Sequence, residues 1–171
     1  RDPHGVLRYE AYRELGGLEG AIGQRAEAQI AALLPIQQAA LPQVLALLVQ
    51  SAGEGEALTG RRALWRELAS PAERELVQAL VDARLLVSDL AEGQQAGFRV
   101  AHEAILRRWP RVTEWIAAHR QALQLRARLQ AQVQRWEAEG RAAEFLLPKG
   151  RQLAEALDLL RNFPPVRRRL Q

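Results

Sequence analysis

From Phe98 to Pro110 the chain reads Phe-Arg-Val-Ala-His-Glu-Ala-Ile-Leu-Arg-Arg-Trp-Pro, and no other stretch narrows the fold so far. Phe98 and Val100 alternate with Arg99 and Ala101, the period of a strand with one buried face, whereas Ile105, Trp109, Val112 and Ile116 recur at steps of four, three and four, the period of a helix. An extended segment therefore passes directly into a helix, with His102 at the junction. Helix N-termini expose unpaired N–H groups and the positive end of the peptide dipole, so the junction is a candidate anion site to which His102 adds a charge-assisted hydrogen bond. Pro110 cannot donate to the carbonyl four residues back, which predicts a short helix ending near Trp109 and a longer one starting there.

Upstream, the segment 1–34 reads as helical, with Leu18, Ile22, Ile30 and Leu33 near one stripe and Ala26 filling the gap. Gly16, Gly17, Gly20 and Gly23 each cost a helix about 1 kcal/mol relative to alanine, so this helix starts late or packs very closely at that end. Pro35 and Pro42 punctuate the next stretch, and Leu41, Val44, Leu45, Leu48 and Val49 predict a helix with a broad apolar face. Residues 51–56 form a polar loop, a short strand is expected within 57–62, and Leu64, Trp65 and Leu68 have helical spacing. Ser70-Pro71-Ala72-Glu73 is a capping-box sequence with proline at the first helical position, opening a helix that buries Leu76, Val77, Leu80 and Val81. Residues 85–90 and 98–102 then predict a β-hairpin across the polar turn 91–97.

Beyond Pro110, Leu125, Leu129, Val133 and Trp136 make a second stripe rotated from the first, so the long helix needs two packing partners. Gly140 is a candidate C-cap; Leu153, Leu157 and Leu160 mark a last helix that Pro164-Pro165 stops. The expected fold is all-α with a small β-hairpin. It reads as a winged helix-turn-helix (residues 35–108) flanked by an N-terminal helix (1–34, the end of a helical domain) and a C-terminal helical extension (109–171).

Composition bounds the chemistry. At 171 residues and 48% apolar content the chain can bury a real core. It contains no cysteine, which removes disulfides, thiolate nucleophiles and thiolate metal sites together. No run resembles a signal peptide or a membrane span, so a cytoplasmic protein is expected. The chain starts at Arg1 and has no methionine, the expectation for a piece of a larger protein. His4, His102 and His119 have no metal-ligand spacing, and Ser51, Ser70 and Ser88 are explained by a loop, a cap and a strand. No catalytic residue and no metal site are therefore expected. Nor is there a Gly-x-x-x-x-Gly-Lys-Ser/Thr run, so the chain by itself is not expected to be an enzyme.

Four segments carry a family resemblance: Leu7-Arg-Tyr-Glu-Ala-Tyr-Arg-Glu-Leu-Gly-Gly-Leu-Glu-Gly-Ala-Ile22, Leu80-Val-Asp-Ala-Arg-Leu-Leu86, Val100-Ala-His-Glu-Ala-Ile-Leu-Arg-Arg-Trp-Pro-Arg111 and Trp136-Glu-Ala-Glu-Gly-Arg141. Together they resemble the region downstream of the ATPase core in bacterial STAND proteins, signal-transduction P-loop NTPases that often carry C-terminal WD repeats. The resemblance implies a regulatory module in which helical and winged-helix domains close over a nucleotide-binding core and help hold an ADP-bound off state. A winged-helix histidine then contacts the nucleotide's phosphates. By motif and topology that residue is His102, with Ala101-His102-Glu103 standing where animal and plant relatives have Met-His-Asp. On this reading ADP or ATP is the cofactor of the parent protein, an ATPase whose P-loop precedes Arg1. The partners are the nucleotide-binding core and sensor repeats of the same polypeptide.

Two alternatives remain open on the residues alone. A DNA-binding winged helix would use residues 70–84 for recognition, but Glu73, Glu75 and Asp82 are set among Arg74 and Arg84, an awkward face for a polyanion. A protein-interaction scaffold, including self-assembly, would use Trp115, Leu125, Leu129 and Trp136 as an exposed patch, with Arg120, Arg126 and Arg128 on the solvated face.

Overall fold

The computed structural model describes residues 17–51, 58–89, 95–146 and 149–162. It is mostly helical with two small antiparallel sheets. Helix α1 spans Gly17–Ala31, α2 Pro35–Ala39 and α3 Leu41–Leu48. Strands β1 (Val49–Ser51) and β2 (Leu58–Gly60) pair with Val49 opposite Gly60. Strand β3 (Ala63–Leu64) leads through a 3₁₀ turn, Trp65–Glu67, to α4 (Pro71–Asp82). Strands β4 (Leu86–Asp89) and β5 (Gly97–Val100) follow, then α5 (Ala104–Arg108), α6 (Pro110–Ala138), a 3₁₀ turn at Ala143–Phe145 and α7 (Arg151–Asn162).

The expected hairpin is present as β4–β5, paired Leu86 to Val100 and Asp89 to Gly97, but it is not alone. Strand β3 adds to its β5 edge in the order β3-β5-β4, because Ala63 and Leu64 pair with Phe98 and Gly97. This changes the expectation for residues 64–68. Leu64, Trp65 and Leu68 have helical spacing in sequence, yet Leu64 lies in a strand and only Trp65–Glu67 turn, as 3₁₀. Ring packing wins over local periodicity here. Trp65 lies 5.5 Å from Phe98 at a tilted 60°, and its Nε1 donates to Ser88 Oγ at 3.0 Å. The turn expected at 91–97 and the loop at 51–56 fall mostly outside the described residues, as do positions 1–16 and Pro164-Pro165.

Helix α4 starts as its sequence predicts. Ser70 Oγ accepts from Glu73 N–H at 3.2 Å, but Glu73 Oε2 reaches one residue further back than a capping box, accepting from Ala69 N–H at 2.7 Å. Proline likewise divides the downstream helices: α5 ends at Arg108, Trp109 is extended (φ −87°, ψ 112°), and α6 begins at Pro110.

One buried cluster takes residues from α1 (Ala26, Ile30), α3, α4, β5 (Phe98), α5, α6 (Val112, Leu123, Leu129) and α7 (Leu159). Helix α1 approaches α5 so closely that a Cβ on Gly23 would sit 2.7 Å from the Arg108 carbonyl oxygen. Its Glu27 then accepts from Trp109 Nε1 at 2.6 Å and from Arg111 Nε at 2.9 Å.

Arg126 overturns an expectation. Placed by sequence on the solvated face of the long helix, it is 2% exposed. Its Nη1 donates to the Ala46 carbonyl at 2.6 Å and its Nη2 to the Val49 carbonyl, while Arg61 N–H donates to Leu48 O at 2.8 Å. The carbonyls that the end of α3 leaves without intrahelical partners are thus met from elsewhere, with a cation at the negative end of the helix dipole. Burial, with Arg61 adding, pulls the Arg126 pKa down to about 10, so the guanidinium stays charged at neutral pH.

Candidate functional site

His102 lies two residues beyond the end of β5, ahead of α5, and it is exposed rather than packed beside Phe98 and Val100. The ribbon explains its position. Ala101 N–H donates to Leu85 O at 3.0 Å, which continues the Leu86–Val100 register one step past the last paired residues. Arg84 and His102 follow next on the two sides.

These residues line a cleft of about 380 Å³ between α1 and the open end of the ribbon. Its basic lining residues are Arg84, His102 and Arg25, the last supplied by α1. Its floor is apolar, with Ile22, Leu85 and Ile105. Among the described residues no carboxylate lines it, and Glu103, Asp82 and Glu27 are engaged elsewhere. Glu103 accepts from Gly60 N–H at 3.0 Å, Asp82 from Gln78 Nε2 at 2.8 Å, and Glu27 from Trp109 and Arg111. Among the described residues, none supplies Arg25, Arg84 or His102 with an ion pair or a side-chain hydrogen bond. The cleft therefore presents the guanidinium donors of Arg25 and Arg84 and the His102 imidazole over an apolar floor, an arrangement able to receive an anion.

The sequence located His102 but credited the wrong element for its charge environment. Helix α5 is a short Ala104–Arg108 segment, so its dipole is small. Its first turn uses His102 O and Glu103 O as acceptors from Ile105 and Leu106 N–H, each at 3.0 Å. The positive field comes instead from Arg25 and Arg84, neither of which stood out by spacing. One signal was available for Arg84. Helix α4 ends in a Schellman arrangement, with Leu85 N–H donating to Leu80 O (2.9 Å) and Arg84 N–H to Val81 O (2.8 Å). Arg84 has φ 59°. That left-handed position favours glycine, and a side chain there costs about 1–2 kcal/mol.

The other candidate surfaces come out differently. The exposed side of α4 carries Glu75, which accepts from Gln37 Nε2 at 2.8 Å, and Asp82, so it offers no continuous cationic face to a nucleic acid. Trp115, expected on an exposed patch, is buried and stacks on His119 at 4.6 Å, and Leu129 is buried as well. What remains between α6 and α7 is an apolar groove of about 610 Å³ lined by Val133, Trp136, Phe145, Leu146, Leu153 and Leu157. No helix among the described residues is long and apolar enough to cross a membrane.

Compared with known proteins, residues 1–144 match the family model nSTAND1, described as Novel STAND NTPase 1. No curated protein and no solved structure matches the chain.

Proposed function

The chain belongs to the nSTAND1 family, Novel STAND NTPase 1, and from that premise we propose that it is the regulatory winged-helix module of a STAND signal-transduction NTPase. On this reading α2, α3 and α4 with the β3-β5-β4 sheet form the winged helix. The module closes over the nucleotide-binding core of the same polypeptide and helps hold the ADP-bound off state. Phosphoryl chemistry is left to that core, since this chain has no P-loop sequence.

One observation carries the reading: His102 stands exposed at the open end of the ribbon, in a cleft that, among the described residues, is also lined by Arg25 and Arg84 and by no carboxylate. A hydrogen bond to a charged phosphate contributes roughly 1.5–3 kcal/mol. If it forms only in the closed state, it shifts the closed/open equilibrium about ten- to a hundredfold. His102→Ala in the intact protein is expected to speed ADP release by that factor and to raise basal signalling. Release of labelled ADP checks it; an unchanged release rate removes the nucleotide role.

A further inference from the structure

We infer that the chain pairs head to tail with a second copy of itself, the Leu34-Pro35-Ile36 knuckle of one copy seating in the apolar groove between α6 and α7 of the next. The inference does not draw on the His102 cleft and goes beyond the module reading.

The exposed large apolar side chains among the described residues are concentrated in two places. Leu34 (63% exposed) and Ile36 (67%) flank exposed Pro35 where α1 passes into α2, and Val133, Leu146 and Leu157 line the groove; Val87 on β4 is the remaining one. Patches of this kind mark surfaces that another surface covers. One is a projection and the other a hollow, so each suits the other better than it suits itself. Both are exposed in a single copy, so their contact joins two.

The knuckle is ready to be covered. Leu34 N–H donates to Gln37 Oε1 at 3.0 Å, the Leu33 carbonyl accepts from Gln38 Nε2 at 2.8 Å, and the Leu34 carbonyl accepts from Gln37 and Gln38 N–H at 2.9 and 3.0 Å. Its own glutamines thus meet backbone groups that a covering surface would otherwise strand without water, and Pro35 has no N–H to strand. Gln37 Nε2 also donates to Glu75 Oε2 at 2.8 Å, which ties the knuckle to α4 and sets a carboxylate beside it.

The groove has the opposite charge at its rim. Exposed Arg135 lies 5.0 Å from the Phe145 ring centre and exposed Arg141 5.4 Å from that of Trp136, so both guanidiniums are held on the groove's aromatic rings. Glu137 approaches Arg141 only to 3.9 Å. Trp136 Nε1 is buried with no acceptor among the described residues, a donor the groove leaves unmet. An acid beside the apolar knuckle and two arginines beside the apolar groove favour this pairing over groove against groove. A contact between unlike surfaces then repeats from copy to copy.

The test follows the mean mass of the full chain by sedimentation as its concentration rises; the mass is expected to climb past that of a dimer and to fall back with added salt. Leu34→Asp with Ile36→Asp removes the knuckle, and Leu146→Asp with Leu157→Asp removes the groove. Each double variant alone should raise the dissociation constant at least tenfold, with circular dichroism confirming parental helix content. Leu34→Ser and Leu157→Ser repeat the comparison with smaller changes. Mixed together, a knuckle variant and a groove variant should form a one-to-one pair that grows no further, because one knuckle and one groove remain between them. Self-association of the knuckle variant through its groove, a mixture that fails to pair, or a chain monomeric up to about 1 mM overturns the inference, the last leaving the groove to a different protein. None of these outcomes alters ADP release, so the nucleotide reading stands or falls separately.

Discussion

Among single residues, two arginines separate what a side chain does from what its sequence position suggests. Arg126 lies in a polar-looking stretch of α6 and spans two carbonyls at the end of α3. A buried guanidinium without a carboxylate is tolerated because those carbonyls are the negative end of a helix and need donors. Arg126→Met is expected to destabilise by about 2–4 kcal/mol, since it leaves both acceptors buried and unmet, and urea denaturation checks it. Arg126→Lys should recover only part of this, because one ammonium on a flexible stem does not reproduce the fork. Arg84 shows the opposite balance: an exposed residue at a left-handed backbone position, lining the cleft with His102.

Among the helices and strands, the boundaries set by local chemistry were readable and those set by pairing were not. Ser70, Pro71 and Pro110 act within a few residues of themselves, through caps and missing N–H groups, and α4 and α6 start where those residues say. Ser70→Ala should cost about 1 kcal/mol in thermal unfolding. By contrast, β3 exists because Ala63 and Leu64 meet Phe98 and Gly97, far along the chain, and no local period announces such a partner. The glycines of α1 were legible as a hint of close packing, and Gly23 fulfils it against the Arg108 carbonyl. Gly23→Ala is expected to destabilise by about 1–3 kcal/mol although alanine favours the helix itself by about 1 kcal/mol, because backbone on both sides of the contact cannot yield as a side chain would. Circular dichroism of the variant, melted beside the parent, gives the sign.

Across the whole molecule, α6 ties the ends of the fold together. Val112, Leu123, Arg126 and Leu129 on it are buried with residues of α1, α3, α4 and β5. Truncation after Arg108 should therefore abolish cooperative unfolding by exposing that core; a sharp, independent transition in residues 1–108 would show that α6 is dispensable. The Glu27 carboxylate, shared by Trp109 and Arg111, is the polar counterpart of this docking. Glu27→Ala is expected to cost about 1–3 kcal/mol in the same denaturation experiment.

The mostly helical class, the β4–β5 hairpin, the proline break at 110 and the location of His102 where a strand gives way to a helix were all legible in the order of residues. They follow from periodicities and stereochemistry acting over a few positions. Long-range packing alone brings β3 into the sheet, takes Arg126 into the interior, and places Arg25 and Arg84 in one cleft with His102. Such facts depend on which distant residues meet and on where each neighbouring charge is already engaged. They are set by the packing of α1 and α6 around the ribbon, and no spacing along the chain encodes them.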